Sequence, residues 1–129
     1  MQIGSHSMSH PQLHCLPAPQ VEEEIQRSKN VIQDKLGVAV RSFAYPFAFP
    51  EQDRVFVKML RRLMQLHEYR EGVCTIIGRA HRGHDTLFLP RIPINNYDDA
   101  RFFEVKVNGG YDWLHGIQYP AKLVKARFS

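Results

Sequence analysis

The fold class follows from one stretch of the sequence, "VEEEIQRSKNVIQDKLGVAVRSFAYPFAFP" (residues 21–50). Its first part places Val21 and Ile25 at helical spacing and ends at Gly37, a residue suited to the left-handed cap of a helix. Acidic residues 22–24 are expected in the first turn, where they suit the helix dipole. The second part is β-branched and aromatic and is closed by prolines, so the stretch predicts a helix followed by a short buried strand.

A second helix is predicted from about Asp53, which can act as its N-cap, to about Tyr69. Its apolar residues recur at helical spacing and should face the core: Phe56, Met59, Leu60, Leu63 and Met64. The segment "GVCTIIG" (residues 72–78) is continuously apolar, which is typical of a parallel strand covered on both faces.

The last part of the chain predicts a short strand in "LFLPRIPI" (residues 87–94) and a final helix. Asp98 and Asp99 could cap this helix, and Gly109 would end it. Because helices and strands alternate along the chain, the sequence predicts an α/β architecture with mostly parallel strands. We expect a single domain that covers residues 1–129.

Composition limits the classes of protein to consider. The chain has 129 residues, 43% of them hydrophobic, which is enough for one domain with a core. The net charge of +4 comes from scattered basic residues rather than a basic run, so it gives little support for a nucleic-acid surface. No apolar run reaches the roughly 20 residues that a membrane span needs, and the first residues lack a signal-peptide pattern. As written, the chain is expected to be cytoplasmic, without membrane contact, and the location stays open if an upstream segment has been lost.

Two histidines four residues apart, His6 and His10, stand in "GSHSMSHPQL" (residues 4–13). Neutral imidazoles at this spacing can bind one zinc ion, although seven histidines in a short chain also produce such pairs by chance. His14 repeats the spacing, but Pro11 disfavours helical geometry at His10, so one helical face carrying all three is not expected. From spacing alone, a metal site and a set of inert surface histidines both stay open.

The longer pattern "HSMSHP" (residues 6–11) resembles the zinc motif H-[ST]-x-x-H-P of the polysaccharide deacetylase family, the NodB-homology carbohydrate esterases. The resemblance continues through "EEEIQRSKNVIQDKLGVAVRSFAYPF" (residues 22–47), "LPRIPINNYDD" (residues 89–99) and "GGYDWL" (residues 109–114). It implies a partial irregular (β/α) barrel of the NodB-homology type, in which mostly parallel strands alternate with helices.

The resemblance also implies a hydrolase that removes N-acetyl groups from amino-sugar polymers with a divalent metal, for which zinc is the first choice. His6 and His10 match two of its metal ligands. In the matching loop "FAYPFA" (residues 43–48), the backbone N–H of Phe47 would stabilise the oxyanion, and Tyr45 and Phe47 would line the sugar site. Packing of these aromatic rings in the core and at its rim is the alternative.

Two further residues match family positions in the last third of the chain. Arg91 in "LPRIP" would orient the catalytic carboxylate, with an exposed salt-bridging arginine as the alternative. His115 in "WLHG" matches a late histidine that acts as general acid, although the usual apolar strand before it is missing. An ordinary surface histidine is the alternative there.

The chain departs from the family pattern at two places. The family's "T-F-D-D" segment, which supplies the general base and the third metal ligand, is not found within these 129 residues, and Asp98-Asp99 are expected to cap a helix instead. Ala48 replaces a glycine, which costs about 1 kcal/mol if that position needs a positive φ. We therefore expect the carboxy-terminal part of a deacetylase domain, impaired as it stands. An uncovered sheet edge would favour self-association or a complementing upstream segment.

Three classes of function stay open from the sequence. The first is a metal-dependent carbohydrate N-deacetylase, which acts on an N-acetylated polymer. The second is a non-catalytic remnant that binds carbohydrate or protein. The third, a small basic nucleic-acid-binding domain, is supported by net charge alone.

Overall fold

The computed structural model describes residues 2–114 and 116, and the chain divides into two compact units. The first unit takes in the chain up to Thr75 together with Asp85–Leu89. The second unit takes in Ile76–His84 and the described residues from Pro90 onward. None of the helices within these described residues is long and apolar enough to cross a lipid bilayer.

Helix α1 of the first unit spans Ala18–Leu36 and begins earlier than the sequence predicted. Pro17 is its N-cap and Pro19 lies in its first turn. The backbone N–H groups of the first turn have no acceptor inside the helix, so the N–H that proline lacks costs no hydrogen bond there. The acidic residues 22–24 therefore lie one turn later than expected. The C-terminal prediction is confirmed, because Gly37 ends α1 in the left-handed conformation with φ 64°.

Strand β1 is short, Ser42–Ala44, and helix α2 follows at Arg54–Leu66. The predicted N-cap is confirmed, since the Asp53 carboxylate accepts a hydrogen bond from the Phe56 N–H at 2.9 Å. The helix ends before Tyr69, and Glu68 takes a left-handed φ of 56° just beyond it. Three residues of the predicted inner face of α2 are buried, namely Phe56, Leu60 and Met64. The other two, Met59 and Leu63, line a groove at the surface.

The sheet has three strands in the order β1–β2–β3, with β2 at Glu71–Ile77 and β3 at Leu89–Arg91. Strands β1 and β2 are parallel, and Phe43 lies opposite Gly72. A Cβ on Gly72 would come within 2.0 Å of the Leu87 carbonyl oxygen, so no other residue fits there. Strand β2 is less covered than predicted, because along it only Gly72 and Cys74 are fully buried.

An aromatic cluster fills the core of the first unit beside β1. The Tyr45 ring lies 5.1 Å from the rings of both Phe43 and Phe49, and 5.7 Å from that of Phe88. Such ring pairs add to the stability gained from burying the aromatic area. The segment that follows β1 is therefore fixed by packing, and this segment carries Phe47.

The second unit contains helix α3, which spans Ala100–Val107. The predicted cap is confirmed for Asp99, whose carboxylate accepts from the Phe102 N–H at 2.8 Å. Asp98 forms a buried ion pair with Lys106 at 2.7 Å instead. The Lys106 ammonium also donates to the Pro93 carbonyl oxygen, so one side chain ties α3 to the segment before it.

Candidate metal centre

The segment before the two histidines extends the sheet of the first unit. The Ser5 N–H donates to the Ser42 carbonyl oxygen at 2.9 Å, and the Ala44 N–H donates to the Ser5 carbonyl oxygen at 2.8 Å. Ser5 thereby forms a parallel bridge with Phe43 of β1. His6 follows at the carboxyl end of this pairing, which is the edge where parallel sheets hold their ligands.

The structure brings His6 and His10 together. Their ring centroids are 4.8 Å apart, the rings are inclined by 70°, and both residues are exposed. The Nδ1 atom of His6 lies 2.7 Å from the Ala44 carbonyl oxygen. Because a carbonyl oxygen can only accept, this Nδ1 carries the proton and the lone pair of Nε2 is left for a metal.

His14 does not join this pair. It lies in a short 3-10 helix, Leu13–Cys15, with its ring 6.4 Å from that of Phe56. Across residues 2–114 and 116, no group of three histidine, cysteine or acidic side chains is placed to hold a metal ion. The donor set is thus two imidazoles, which fit a divalent cation such as zinc as part of a larger ligand set.

The turn between the histidines is strained rather than helical. Ser7 and His10 both have left-handed backbones, with φ of 65° and 55°. The left-handed conformation costs about 1–2 kcal/mol for a residue with a side chain. Such strain is often found at functional sites. The Ser7 Oγ accepts a hydrogen bond from the His10 N–H at 3.1 Å, which stabilises the turn.

Phe47 borders the histidine pair. The residue is 46% exposed, and its ring lies 4.8 Å from that of His10. Phe47 has a φ of 56°, so the positive φ considered for Ala48 falls one residue earlier. Its carbonyl oxygen is fixed by the Thr75 hydroxyl at 2.9 Å, whereas its N–H donates to no described residue. This N–H is therefore a candidate donor to an anion.

Tyr45 does not lie where the sequence predicted. It was expected to face a sugar, but it is 1% exposed and its hydroxyl donates to the Leu87 carbonyl oxygen at 2.9 Å. Burial raises the pKa of this hydroxyl far above its usual value. Tyr45 is therefore a core residue that supports the loop carrying Phe47.

Two residues of α1 that the sequence did not single out contact the segment bearing the histidines. The Glu24 carboxylate accepts hydrogen bonds from the N–H groups of Met8 and Ser9 and from the Ser9 hydroxyl. Burial works to raise the pKa of Glu24, but these hydrogen bonds outweigh it and the pKa lies below its usual value. The Ser28 hydroxyl lies 2.6 Å from that of Ser5, and both residues are buried. No local signal predicts these contacts.

A second histidine pair, His81 and His84, lies in the second unit with ring centroids 3.7 Å apart. Here the Nδ1 atoms accept hydrogen bonds, from the Gly83 N–H and the His81 N–H respectively. Each neutral ring then carries its proton on Nε2, which is the reverse of His6. These two rings are therefore less ready to bind a metal.

The two remaining predicted residues are Arg91 and His115. Arg91 is exposed at the end of β3 and belongs to the second unit. His115 lies outside the described residues. The roles suggested for both stay predictions.

Comparison with known proteins decides the family. The sequence profile described as polysaccharide deacetylase matches residues 1–65, a segment that includes both histidines, β1 and nearly all of α2. The chain belongs to the polysaccharide deacetylase family. No protein with a curated description matches the chain significantly.

Two solved structures are similar to this polysaccharide deacetylase chain. The Streptococcus pyogenes deacetylase PplD in complex with acetate has a TM-score of 0.67 and 23% identity, covering 80% of this chain and 43% of that one. The structure of IcaB from Ammonifex degensii has a TM-score of 0.49 and 20% identity, covering 71% and 36%. The chain thus spans less than half the length of either. The similarity to PplD confirms the predicted α/β fold, in keeping with a partial NodB-type barrel.

Proposed function

We propose that this chain takes part in the metal-dependent removal of N-acetyl groups from amino-sugar polymers, with His6 and His10 as two of the metal ligands. The observation that carries the proposal is the hydrogen bond from His6 Nδ1 to the Ala44 carbonyl oxygen, beside the His10 ring. This hydrogen bond orients the His6 imidazole and leaves the lone pair of Nε2 available to bind a metal ion, as metal-binding histidines require.

The residues around the pair suit an amide substrate. A bound zinc ion supplies carbonyl polarisation and a lowered pKa of coordinated water. The Phe47 N–H can donate to the oxyanion that forms when the acetamide is attacked, a contribution of about 3 kcal/mol in comparable sites. The exposed Phe47 ring offers an apolar surface next to His10, against which a sugar face or acetyl methyl group can pack.

Full activity needs a carboxylate from outside the described residues. Within residues 2–114 and 116, no acidic side chain completes a three-ligand group with the histidines. Without a general base, proton transfer slows by about 10²- to 10⁴-fold. We therefore expect the chain alone to be impaired, and a complementing segment that brings a carboxylate to restore turnover.

The same observation favours a second candidate, carbohydrate binding without catalysis. Two imidazoles and an exposed aromatic ring can hold a metal and a sugar even where no base is present. The two candidates share a binding site and differ only in whether acetate is released.

A binding assay with parallel acetate measurement tests both candidates. The zinc-loaded chain is titrated with an N-acetylglucosamine oligomer and with the matching glucosamine oligomer. We expect preference for the N-acetylated oligomer, its loss in His6→Ala/His10→Ala, and its retention in the matched control His81→Ala/His84→Ala. Acetate release that needs His6 and His10 supports the enzyme, and binding without release supports the second candidate. Equal affinity for both oligomers would contradict both.

A further inference from the structure

Helix α1 holds the segment that carries the two histidines, residues 5–10, which we call the histidine loop. We propose that Glu24 and Ser28 are positioning residues that fix the separation of His6 and His10. This inference rests on the proposed function, because the separation matters only if both imidazoles bind one metal ion.

Glu24 holds the part of the loop just before His10. Its Oε2 accepts from the Met8 N–H at 2.8 Å and from the Ser9 N–H at 2.9 Å. Its Oε1 accepts from the Ser9 hydroxyl at 2.6 Å. Hydrogen bonds to an ionised acceptor are shorter and stronger than those between neutral groups. One carboxylate thereby fixes two consecutive peptide units.

Ser28 holds the other end of the loop, just before His6. Its hydroxyl lies 2.6 Å from the Ser5 hydroxyl and also donates to the Ile25 carbonyl oxygen at 3.1 Å. Ser5 is buried and bridged to β1, so its position is fixed on two sides. The start of the histidine loop is thus attached to both the sheet and α1.

The two attachment points lie on one face of a rigid helix. Residues 24 and 28 are four positions apart in α1, so their side chains project on the same side, about 6 Å apart along the axis. The spacing of residues 24 and 28 on the helix therefore sets the distance between the two ends of the histidine loop. Rotation or fraying of either end would change the distance between the imidazoles.

The loop needs this support because its own conformation is unfavourable. Ser7 and His10 are left-handed, and the one hydrogen bond inside the loop runs from the His10 N–H to the Ser7 hydroxyl oxygen. Both oxygens of Glu24 are already occupied by loop donors. This makes Glu24 a support for the loop rather than a further metal ligand.

The test compares Glu24→Ala and Glu24→Gln with the matched control Glu23→Gln. Glu23 is the neighbouring acid, exposed and paired only with exposed Arg27 at 3.6 Å among the described residues. The first measurement is hydrogen exchange of the Met8 and Ser9 amides in the metal-free protein, with the Leu60 amide of α2 as a reference for intact folding. We expect faster exchange at both amides in Glu24→Ala, a smaller change in Glu24→Gln, and none in Glu23→Gln.

The second measurement is zinc affinity by calorimetry. Residues that orient metal ligands typically change affinity by about 10- to 100-fold when removed. We expect a loss of that size in Glu24→Ala, a smaller loss in Ser28→Ala, and no change in Glu23→Gln. The Glu24→Gln variant keeps one acceptor oxygen and should fall between Glu24→Ala and the unmodified chain.

The outcomes separate this inference from the proposed function. Unchanged exchange at Met8 and Ser9 in Glu24→Ala overturns the positioning role. Faster exchange with unchanged zinc affinity overturns it as well, while leaving His6 and His10 as ligands. Equal zinc affinity in the unmodified chain and in His6→Ala/His10→Ala overturns the proposed function itself.

Discussion

His6 places its Nδ1 atom 2.7 Å from the carbonyl oxygen of Ala44, the last residue of β1. This contact joins the histidine loop to the sheet through a side chain, in addition to the backbone pairing of Ser5. It also decides which ring nitrogen carries the proton. The imidazole is thereby oriented before any metal arrives, which reduces the cost of ordering it on binding.

The tautomer of His6 is the first testable consequence. We expect long-range proton–nitrogen NMR spectra of the metal-free protein to show His6 protonated at Nδ1 when neutral. His81 and His84 are the internal comparison, because their Nδ1 atoms accept backbone hydrogen bonds and should be protonated at Nε2. A neutral His6 with its proton on Nε2 would show that the contact with Ala44 does not hold.

Replacing Tyr45 by phenylalanine tests its role in the core. At about pH 7 we expect the free energy of unfolding to fall by about 1–3 kcal/mol, because the buried Leu87 carbonyl oxygen loses its donor. The raised pKa of Tyr45 also makes the contribution of its hydroxyl to the free energy of unfolding depend on pH in alkali. Its stabilising effect is complete below the unfolded pKa of about 10 and declines by about 1.4 kcal/mol per pH unit above it.

Urea unfolding at about pH 7 and about pH 11 measures both effects, since the unfolded pKa of tyrosine lies between. We expect Tyr45→Phe to lose less stability between the two conditions than the unmodified chain. Tyr97→Phe serves as the control because Tyr97 is 95% exposed. The account of Tyr45 fails if both variants respond to alkali alike.

The N-cap of α2 gives a local test of the first unit. We expect Asp53→Ala to cost about 0.5–2 kcal/mol, because the Phe56 N–H loses its acceptor. Asp53→Asn keeps a capping oxygen and should stay near the stability of the unmodified chain. Chemical denaturation of the three proteins decides the matter, and an equal loss in both variants would count against the cap.

The ion pair of Asp98 and Lys106 makes the second unit sensitive to acid. The Lys106 ammonium, helped by the Asn95 N–H, holds the pKa of Asp98 below its usual value. Its stabilising effect is therefore present above the unfolded pKa of about 3.9 and is lost as the pH falls through the folded-state value. We expect the protection of the α3 amides against exchange, relative to their intrinsic rates, to fall over that range, and the fall to be smaller in Asp98→Asn.

An exposed pair in the same unit provides the comparison for Asp98. Asp112 contacts Arg79 at 2.7 Å, but both side chains are largely exposed and such pairs contribute little. Exchange in α3 should keep its acid response in Asp112→Asn. A response that disappears equally in Asp98→Asn and Asp112→Asn would mean that the Asp98 pair is not its source.

Local patterns in the sequence predicted much of the fold. The spacing of Val21 and Ile25, the glycine at the end of α1, and the caps at Asp53 and Asp99 all depend on neighbours within one or two turns. The pairing of His6 with His10 followed from a motif resemblance, and the structure brings these rings together. Short-range physics and a recognisable motif were sufficient for these features.

The features that the sequence missed depend on distant contacts. Tyr45 is buried because Leu87 and Phe88 pack against it from more than forty positions away. Glu24 was interpreted as part of an acidic first turn, but its carboxylate binds a loop that folds back from about fifteen positions earlier. No periodicity encodes such contacts, so they could be recognised only once the chain was folded.

Zinc titration of the unmodified chain, of His6→Ala, of His10→Ala and of the double variant tests the central claim most directly. The account predicts one zinc ion per chain and an affinity that falls at least about 10-fold when either histidine is removed, since each supplies one ligand bond. Binding should be unchanged in His81→Ala, whose ring is protonated at the opposite nitrogen. Stoichiometric zinc binding that survives the loss of both His6 and His10 would contradict the account.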